Sequence, residues 1–347
     1  MSTETSSKAD ARSPAQLLEL ASGGLAGDRR ALARLLSLVE RGGQPASDLS
    51  RLTYPRSGGS YTVGLTGAPG SGKSTISGRL ITEAKRRTGA PVAVLAIDPS
   101  SPLSGGAILG DRVRMQDHAL DKSVYIRSMA TRGHLGGLAA AVPDAVRVLD
   151  AAGWPLVLVE TVGVGQVEVE VAGTCDTIVV VLNPGWGDAV QANKAGLLEV
   201  ADVLVVNKAD RPGVRETKRD LVHMLQLTGE MAWTPPIVET VASSGDGTSE
   251  LWEAISSHRA FLEQDGGLEA RRRSRMAEET QRLALDAFAR LIAAALGHAS
   301  PGAVGLSGQQ AEEAVAAGEE LLGSLSEREI DPAVAADRLV EIVSRLI

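Results

Sequence analysis

The stretch YTVGLTGAPGSGKST (61–75) constrains the fold more than any other part of the chain. Six strand-like residues run straight into Gly67-Ala-Pro-Gly-Ser-Gly72-Lys73-Ser74, which fits G-x-x-x-x-G-K-[ST], and a helix pattern starts at once. Strand, glycine loop and helix in that order is the context in which the motif has a mechanism. The glycines let successive backbone N–H groups turn inward around phosphate oxygens at the positive end of the helix. Lys73 then meets the β- and γ-phosphates, and the Ser74 hydroxyl takes Mg²⁺. A chance glycine-rich turn lacks that flanking order.

Five further apolar runs follow the same plan: PVAVLAID (91–98), PLVLVE (155–160), TIVVVLN (177–183), DVLVVNK (202–208) and PPIVETV (235–241). Continuous apolar strands separated by helical stretches predict an α/β fold. Its sheet is mainly parallel and covered by helices on both faces. Aromatic residues are only 3% of the 347, so Ala, Val, Leu and Ile must fill the core. Ahead of this domain, Asp28 is placed to cap a helix with Leu32, Leu35, Leu36 and Val39 on one stripe. Beyond His258 the strand signal stops. RRRSR (271–275) leads into a helical pattern over 276–296, a Gly/Ser/Pro break covers 297–308, and two more helical stretches follow. The last opens with Asp331-Pro332 and puts Leu339, Ile342, Val343 and Leu346 on one stripe. The expected organisation is a disordered tail over 1–13, an N-terminal helical extension over 14–56, a P-loop domain over 57–264 and a C-terminal helical arm over 265–347. Periodicity alone leaves open whether the helical ends pack on the α/β domain or build a dimer interface.

Charge and cysteine content remove several function classes. With 35 basic and 43 acidic residues the net charge is −8, against a generic nucleic-acid binder that must neutralise phosphates. Cys175 is the single cysteine, so neither an intramolecular disulfide nor a multi-cysteine zinc site is available. The N-terminus is polar and no apolar run reaches membrane-spanning length, which predicts a soluble, cytoplasmic protein.

Asn207-Lys208-Ala209-Asp210 closes the run DVLVVNK. A carboxylate at the fourth position accepts both hydrogens of the guanine N1 and 2-amino groups, a donor pair that adenine lacks. Taken alone the tetrapeptide is also compatible with an ordinary strand-end loop; behind a phosphate loop it points to GTP over ATP. Three acidic residues stand at or beyond strand ends: Asp98 after AVLAI, Glu160 after PLVLV, and Asp111 in the glycine-rich loop SPLSGGAILGD. Acidic groups there converge on the ligand crevice, where they hold Mg²⁺ or orient an attacking water. Helix caps or solvated turns are the competing readings for Asp98 and Glu160. The glycines of LSGGAILGDR, TVGVGQ and NPGWGD suit loops that order around a γ-phosphate, and equally suit simple tight connections.

Five stretches together resemble the methylmalonyl-CoA mutase-associated GTPase family, the MeaB/MMAA-type chaperones among the dimerising P-loop GTPases. They are GAPGSGKST (67–75), AVLAIDPSSPLSGGAILGDRVRM (93–115), GHLGGLA (133–139), VETVGVGQVEVEVA (159–172) and ADVLVVNKAD (201–210). The resemblance implies that Gly67, Ala68, Pro69, Gly70, Ser71, Gly72, Lys73, Ser74 and Thr75 bind phosphates, with Ser74 on Mg²⁺. It implies that Asp98, Asp111 and Glu160 complete the acidic shell of metal and water, and that these three and Lys73 serve catalysis. Asn207, Lys208 and Asp210 would read guanine, with Val241-Ala242-Ser243 closing over the base. Val241 departs from the family's usual Ser-Ala start, in a loop that mostly offers backbone N–H to guanine O6. The segment 183–196 takes the place of a third switch facing the mutase and is altered here by Trp186 and Asn193. The implied function is a homodimeric GTPase that turns GTP into GDP, gating adenosylcobalamin delivery to an acyl-CoA mutase and protecting that enzyme. The mutase is methylmalonyl-CoA mutase or a relative. Slow intrinsic hydrolysis is expected, since Gln166, Arg112 and Arg114 are as well placed for structural as for catalytic roles.

Other classes compete. A nickel-delivering GTPase needs a Cys or His cluster, which Cys175 with the isolated His118 and His134 does not supply within a subunit. A P-loop kinase or transport-associated ATPase is opposed by the Asn207–Asp210 tetrapeptide. An idle GTP-binding scaffold is opposed by the joint presence of Lys73, Ser74, Asp98, Asp111 and Glu160.

Overall fold

In a computed structural model of the protein, the described residues are 13–99, 118, 120–131, 137–161, 173–185, 200–227, 229, 231–300 and 308–346. They form two compact units that divide after Leu268. The first is built on a seven-stranded sheet. Its strands are β1 (Tyr61–Gly67), β2 (Val92–Pro99), β3 (Val124–Thr131), β4 (Leu156–Thr161), β5 (Thr177–Leu182), β6 (Val203–Asn207) and β7 (Ile237–Thr240), in the order β3-β2-β4-β1-β5-β6-β7. Every pairing is parallel, so all seven carboxyl ends point to one edge.

All six apolar runs read from the sequence contain strands. The seventh, β3, carries no such run: VYIRSMAT is broken by Arg127 and Ser128. As an edge strand, β3 is paired on one side only, to β2, and Arg127 finds its partners on a distant helix.

Helices α1 (Pro14–Leu25), α2 (Arg29–Arg41), α3 (Gln44–Thr53), α4 (Lys73–Thr88), α5 (Gly137–Ala151), α6 (Val214–Leu227) and α7 (Thr248–Glu263) cover the two faces of the sheet. Alternate residues of a strand go to opposite faces. Ala93, Leu95 and Ile97 pack with Leu32, Leu35 and Leu36 of α2 and Val142, Ala145 and Leu149 of α5. Val92 and Val94 join Ile76, Leu80 and Ile81 of α4 and Leu251 and Ile255 of α7 on the other side. Asp28 caps α2 as its position predicts, its Oδ1 accepting from the N–H of Arg30 at 2.8 Å and Ala31 at 3.2 Å. The three N-terminal helices therefore share a core with the sheet. Arg127 of β3 bonds Ser37 Oγ at 3.0 Å and Glu40 at 2.8 Å, and Arg29 of α2 donates to the carbonyls of Asp121, Lys122 and Val124.

The second unit comprises α8 (Gly267–Ala295, which starts at the boundary), α9 (Gln309–Ser326) and α10 (Pro332–Leu346). Its helix α8 takes in RRRSR and begins nine residues before the helical pattern expected from 276, because the junction after α7 is a single short turn. Ala295, Ala314, Leu321, Leu339 and Val343 make a separate small core. Asp331 caps α10, accepting from the N–H of Ala333 and Val334. Among the described residues no helix is long and apolar enough to cross a membrane.

Candidate functional site

The carboxyl edge of the sheet gathers the described members of the phosphate, acidic and base-reading sets expected from the sequence. β1 enters it wholly buried and ends at Gly67, with φ +146°. The chain passes so close to β5 there that a Cβ on Gly67 would lie 2.2 Å from the Val181 carbonyl oxygen. The loop then turns through Ala68, Pro69, Gly70 and Ser71 to Gly72, which opens α4 with φ +98°. A side chain at Gly72 would strike Asn207 Nδ2 at 2.2 Å. Two glycines of the motif thus answer to contacts with other strands, in addition to the turn itself.

Lys73 and Ser74 occupy the first turn of α4 and both are buried. The Lys73 ammonium folds back over the loop and donates to the carbonyls of Gly67 at 2.7 Å and Ala68 at 2.9 Å. Ser74 Oγ lies 2.5 Å from Glu160 Oε1, and Ser77 Oγ, one turn further, lies 2.8 Å from Glu160 Oε2. Glu160 is only 1% exposed, so the β4 carboxylate is bound through both oxygens beneath the phosphate-loop helix. Ser77 was not legible as a site residue, although its i+3 spacing from Ser74 puts both hydroxyls on one helix face.

Some polar atoms here have no partner. Ser71 Oγ, in the loop, and Thr66 Oγ1, on β1 just before it, are buried without a hydrogen bond among the described residues; so is Asn183 Oδ1 at the end of β5. An unsatisfied buried hydroxyl costs about 1–3 kcal/mol, and such groups suit a loop shaped around an absent oxyanion. The hard oxygen donors of Ser74 and Glu160 likewise fit Mg²⁺.

The segments expected to read the base meet the phosphate loop directly. Asn207, 2% exposed, donates from Nδ2 to the Ser71 carbonyl at 2.7 Å. Its Oδ1 accepts from Thr240 Oγ1 at 3.0 Å and the Ala242 N–H at 3.1 Å. Lys208, in the left-handed region at φ +59°, reaches the Gly70 carbonyl at 2.7 Å. Asp210 lies exposed beyond the end of β6. Ala242 is buried and Ser243 exposed in the loop after β7, and the Val241 N–H is bonded to the Asp246 carbonyl at 3.0 Å. Thr75 follows Ser74 in the first turn of α4.

Asp98, next to last in β2, stands beside Ala130 in register, two residues past the partner of Glu160, which brings its backbone to the same edge. Asp111, Arg112, Arg114, His134, Gln166, Trp186 and Asn193 lie outside the described residues.

Similarity to known proteins agrees with this arrangement. The profile of the family described as methylmalonyl Co-A mutase-associated GTPase MeaB matches residues 32–296. A protein of Pyrococcus abyssi is 47% identical over 321 residues, covering 91% of this chain and 93% of its own length. The GTPase ArgK of Escherichia coli is 37% identical over 265 residues, covering 73% of this chain and 78% of its own. Among solved structures, that of LAO/AO transport system kinase superposes with a TM-score of 0.65 at 25% identity, over 96% of this chain and 99% of that one. The resemblance carried by five short motifs thus extends along most of the sequence, and the chain belongs to the MeaB family of methylmalonyl-CoA mutase-associated GTPases.

Proposed function

We propose that the protein binds GTP with Mg²⁺, hydrolyses it to GDP and phosphate, and uses that cycle to gate adenosylcobalamin delivery to an acyl-CoA mutase. In this reading it also protects the mutase, works as a homodimer and acts in the cytoplasm. The observation that carries the nucleotide part is the contact of two separately encoded loops: Asn207 and Lys208 bind the carbonyls of Ser71 and Gly70. In this reading a nucleotide spans them, its phosphates at the one and its base at the other. Family membership supports the client.

Within that reading Gly67–Thr75 wraps the phosphates, and Lys73 exchanges its two loop carbonyls for phosphate oxygens. Ser74 and Glu160, with Asp98 and Asp111, would hold Mg²⁺, which would supply charge neutralisation to the phosphates. Ser77 keeps Glu160 oriented. Asn207, Lys208 and Asp210 take the guanine, with Val241, Ala242 and Ser243 alongside. The chain's own contribution is positioning and preorganised charge, the main source of rate in phosphoryl transfer.

The test is GTP turnover, with ATP as control, measured with and without an adenosylcobalamin-dependent acyl-CoA mutase from the same source. Several-fold stimulation by one mutase is expected. GTP turnover indifferent to every mutase removes the client, and preferential ATP turnover removes the guanine assignment.

A further inference from the structure

The loop after β7 is held by a side chain that belongs to no motif. Arg79 stands on the second turn of α4, and its guanidinium reaches across to two successive carbonyls. Nε donates to the Ala242 oxygen at 2.9 Å and a terminal nitrogen donates to the Ser243 oxygen at 2.5 Å. A planar fork bonded to adjacent carbonyls fixes two adjoining peptide planes, which the single ammonium of a lysine cannot do.

The direction of those planes matters. In a trans peptide the C=O and the next N–H point opposite ways. With the Ala242 carbonyl turned onto Arg79, the Ser243 N–H is turned away from α4. Its neighbours are committed: the Ala242 N–H to Asn207 Oδ1 at 3.1 Å, and the Ser244 N–H to the Val241 carbonyl at 3.1 Å. The Ser243 N–H has no acceptor among the described residues. One free donor is thus held in a fixed direction beside Asn207.

A purely mechanical role for Arg79 is already filled by others. Arg87 ties α4 to α7, the helix that follows this loop, from its guanidinium to Ser249 Oγ at 2.7 Å and Glu253 at 3.0 Å. Leu80 and Ile81 of α4 also share a core with Leu251 and Ile255 of α7.

We propose that Arg79 is a positioning residue for base specificity: by gripping the carbonyls of Ala242 and Ser243 it aims the Ser243 N–H at the 6-oxo group of a purine. A 6-oxopurine offers an acceptor there. Adenine offers an amino donor, which would face the N–H donor to donor. The inference rests on reading these loops as a guanine-nucleotide site.

The test is calorimetric titration of the full chain and of Arg79→Ala, Arg79→Lys and Arg87→Ala with GDP and IDP, with ADP measured by displacement. IDP keeps the 6-oxo group and lacks the 2-amino group. Arg79→Ala is expected to weaken GDP and IDP alike by roughly five- to tenfold, the scale of one hydrogen bond, with ADP affinity unchanged. Arg79→Lys keeps charge and bulk and is expected to narrow the GDP/ADP ratio as well, so the proposal stays testable if the alanine variant fails to fold. Arg87→Ala should leave the ratio alone. An unchanged ratio in a folded Arg79 variant, or equal weakening of all three nucleotides, overturns the proposal. An unsubstituted chain that binds ADP as tightly as GDP overturns the guanine reading itself, and the proposal with it.

Discussion

At the scale of single residues, the sharpest constraint is on Gly72. Its backbone is in the left-handed region and its missing side chain leaves the space into which Asn207 Nδ2 projects. Gly72→Ala is therefore expected to cost about 1–3 kcal/mol of stability and to lower GDP affinity at least tenfold, read by thermal unfolding and by titration. The motif made Gly72 legible; its dependence on a strand more than a hundred residues away was not, since no local pattern reports a tertiary contact. Glu83 gives a second residue-level expectation, this one in pH. Hydrogen bonds from Arg86, then Arg87, hold its carboxyl down at about 2 from an ordinary value of 4.5. A depressed carboxylate adds stability that is complete above its unfolded value and is lost as pH falls through its folded one. Denaturation midpoints should fall between pH 4.5 and 2 in the native sequence, and Glu83→Gln should flatten that part of the profile.

At the scale of elements, legibility followed burial. β1, β4, β5 and β6 are buried along their whole length, and an unbroken apolar run needs no context to be recognised. β3 escaped because its interior carries Arg127, whose bond to Glu40 spans 87 residues of sequence. The reading of α2 came from a cap and a stripe, and both can be tested separately. Asp28→Ala should cost about 1 kcal/mol, the usual worth of an N-cap. Leu35→Ala should cost about 2–5 kcal/mol, because Leu35 is fully buried where α1, α2 and the sheet meet and the site is too crowded to collapse freely. Chemical denaturation of the two variants separates the terms; equal losses would mean that α2 is held by its cap and not by its stripe.

For the molecule as a whole, the clusters under the sheet's two faces contain, among the described residues, no side chain from beyond Leu268. A chain ending there is expected to unfold cooperatively and to bind GDP within about threefold of the full protein, with circular dichroism and calorimetry as the readouts; loss of the fold would show that the second unit is required by the first. A consequence for biosynthesis follows from where the N-terminal helices pack. Helices α1–α3 leave the ribosome ahead of the sheet, yet part of the surface that buries Leu32, Leu35 and Leu36 is supplied by Val157 and Val159 of β4. At ~5–20 residues per second that surface arrives about 6–25 s later. Through that interval the leucine-rich stripe is covered only in part, by α1 and then by β2, β3 and α5 as they emerge. Completion of this core on the nascent chain is thus expected to wait for the fourth strand, and a ribosome stalled between β1 and β4 is expected to hold a partly covered, sticky intermediate.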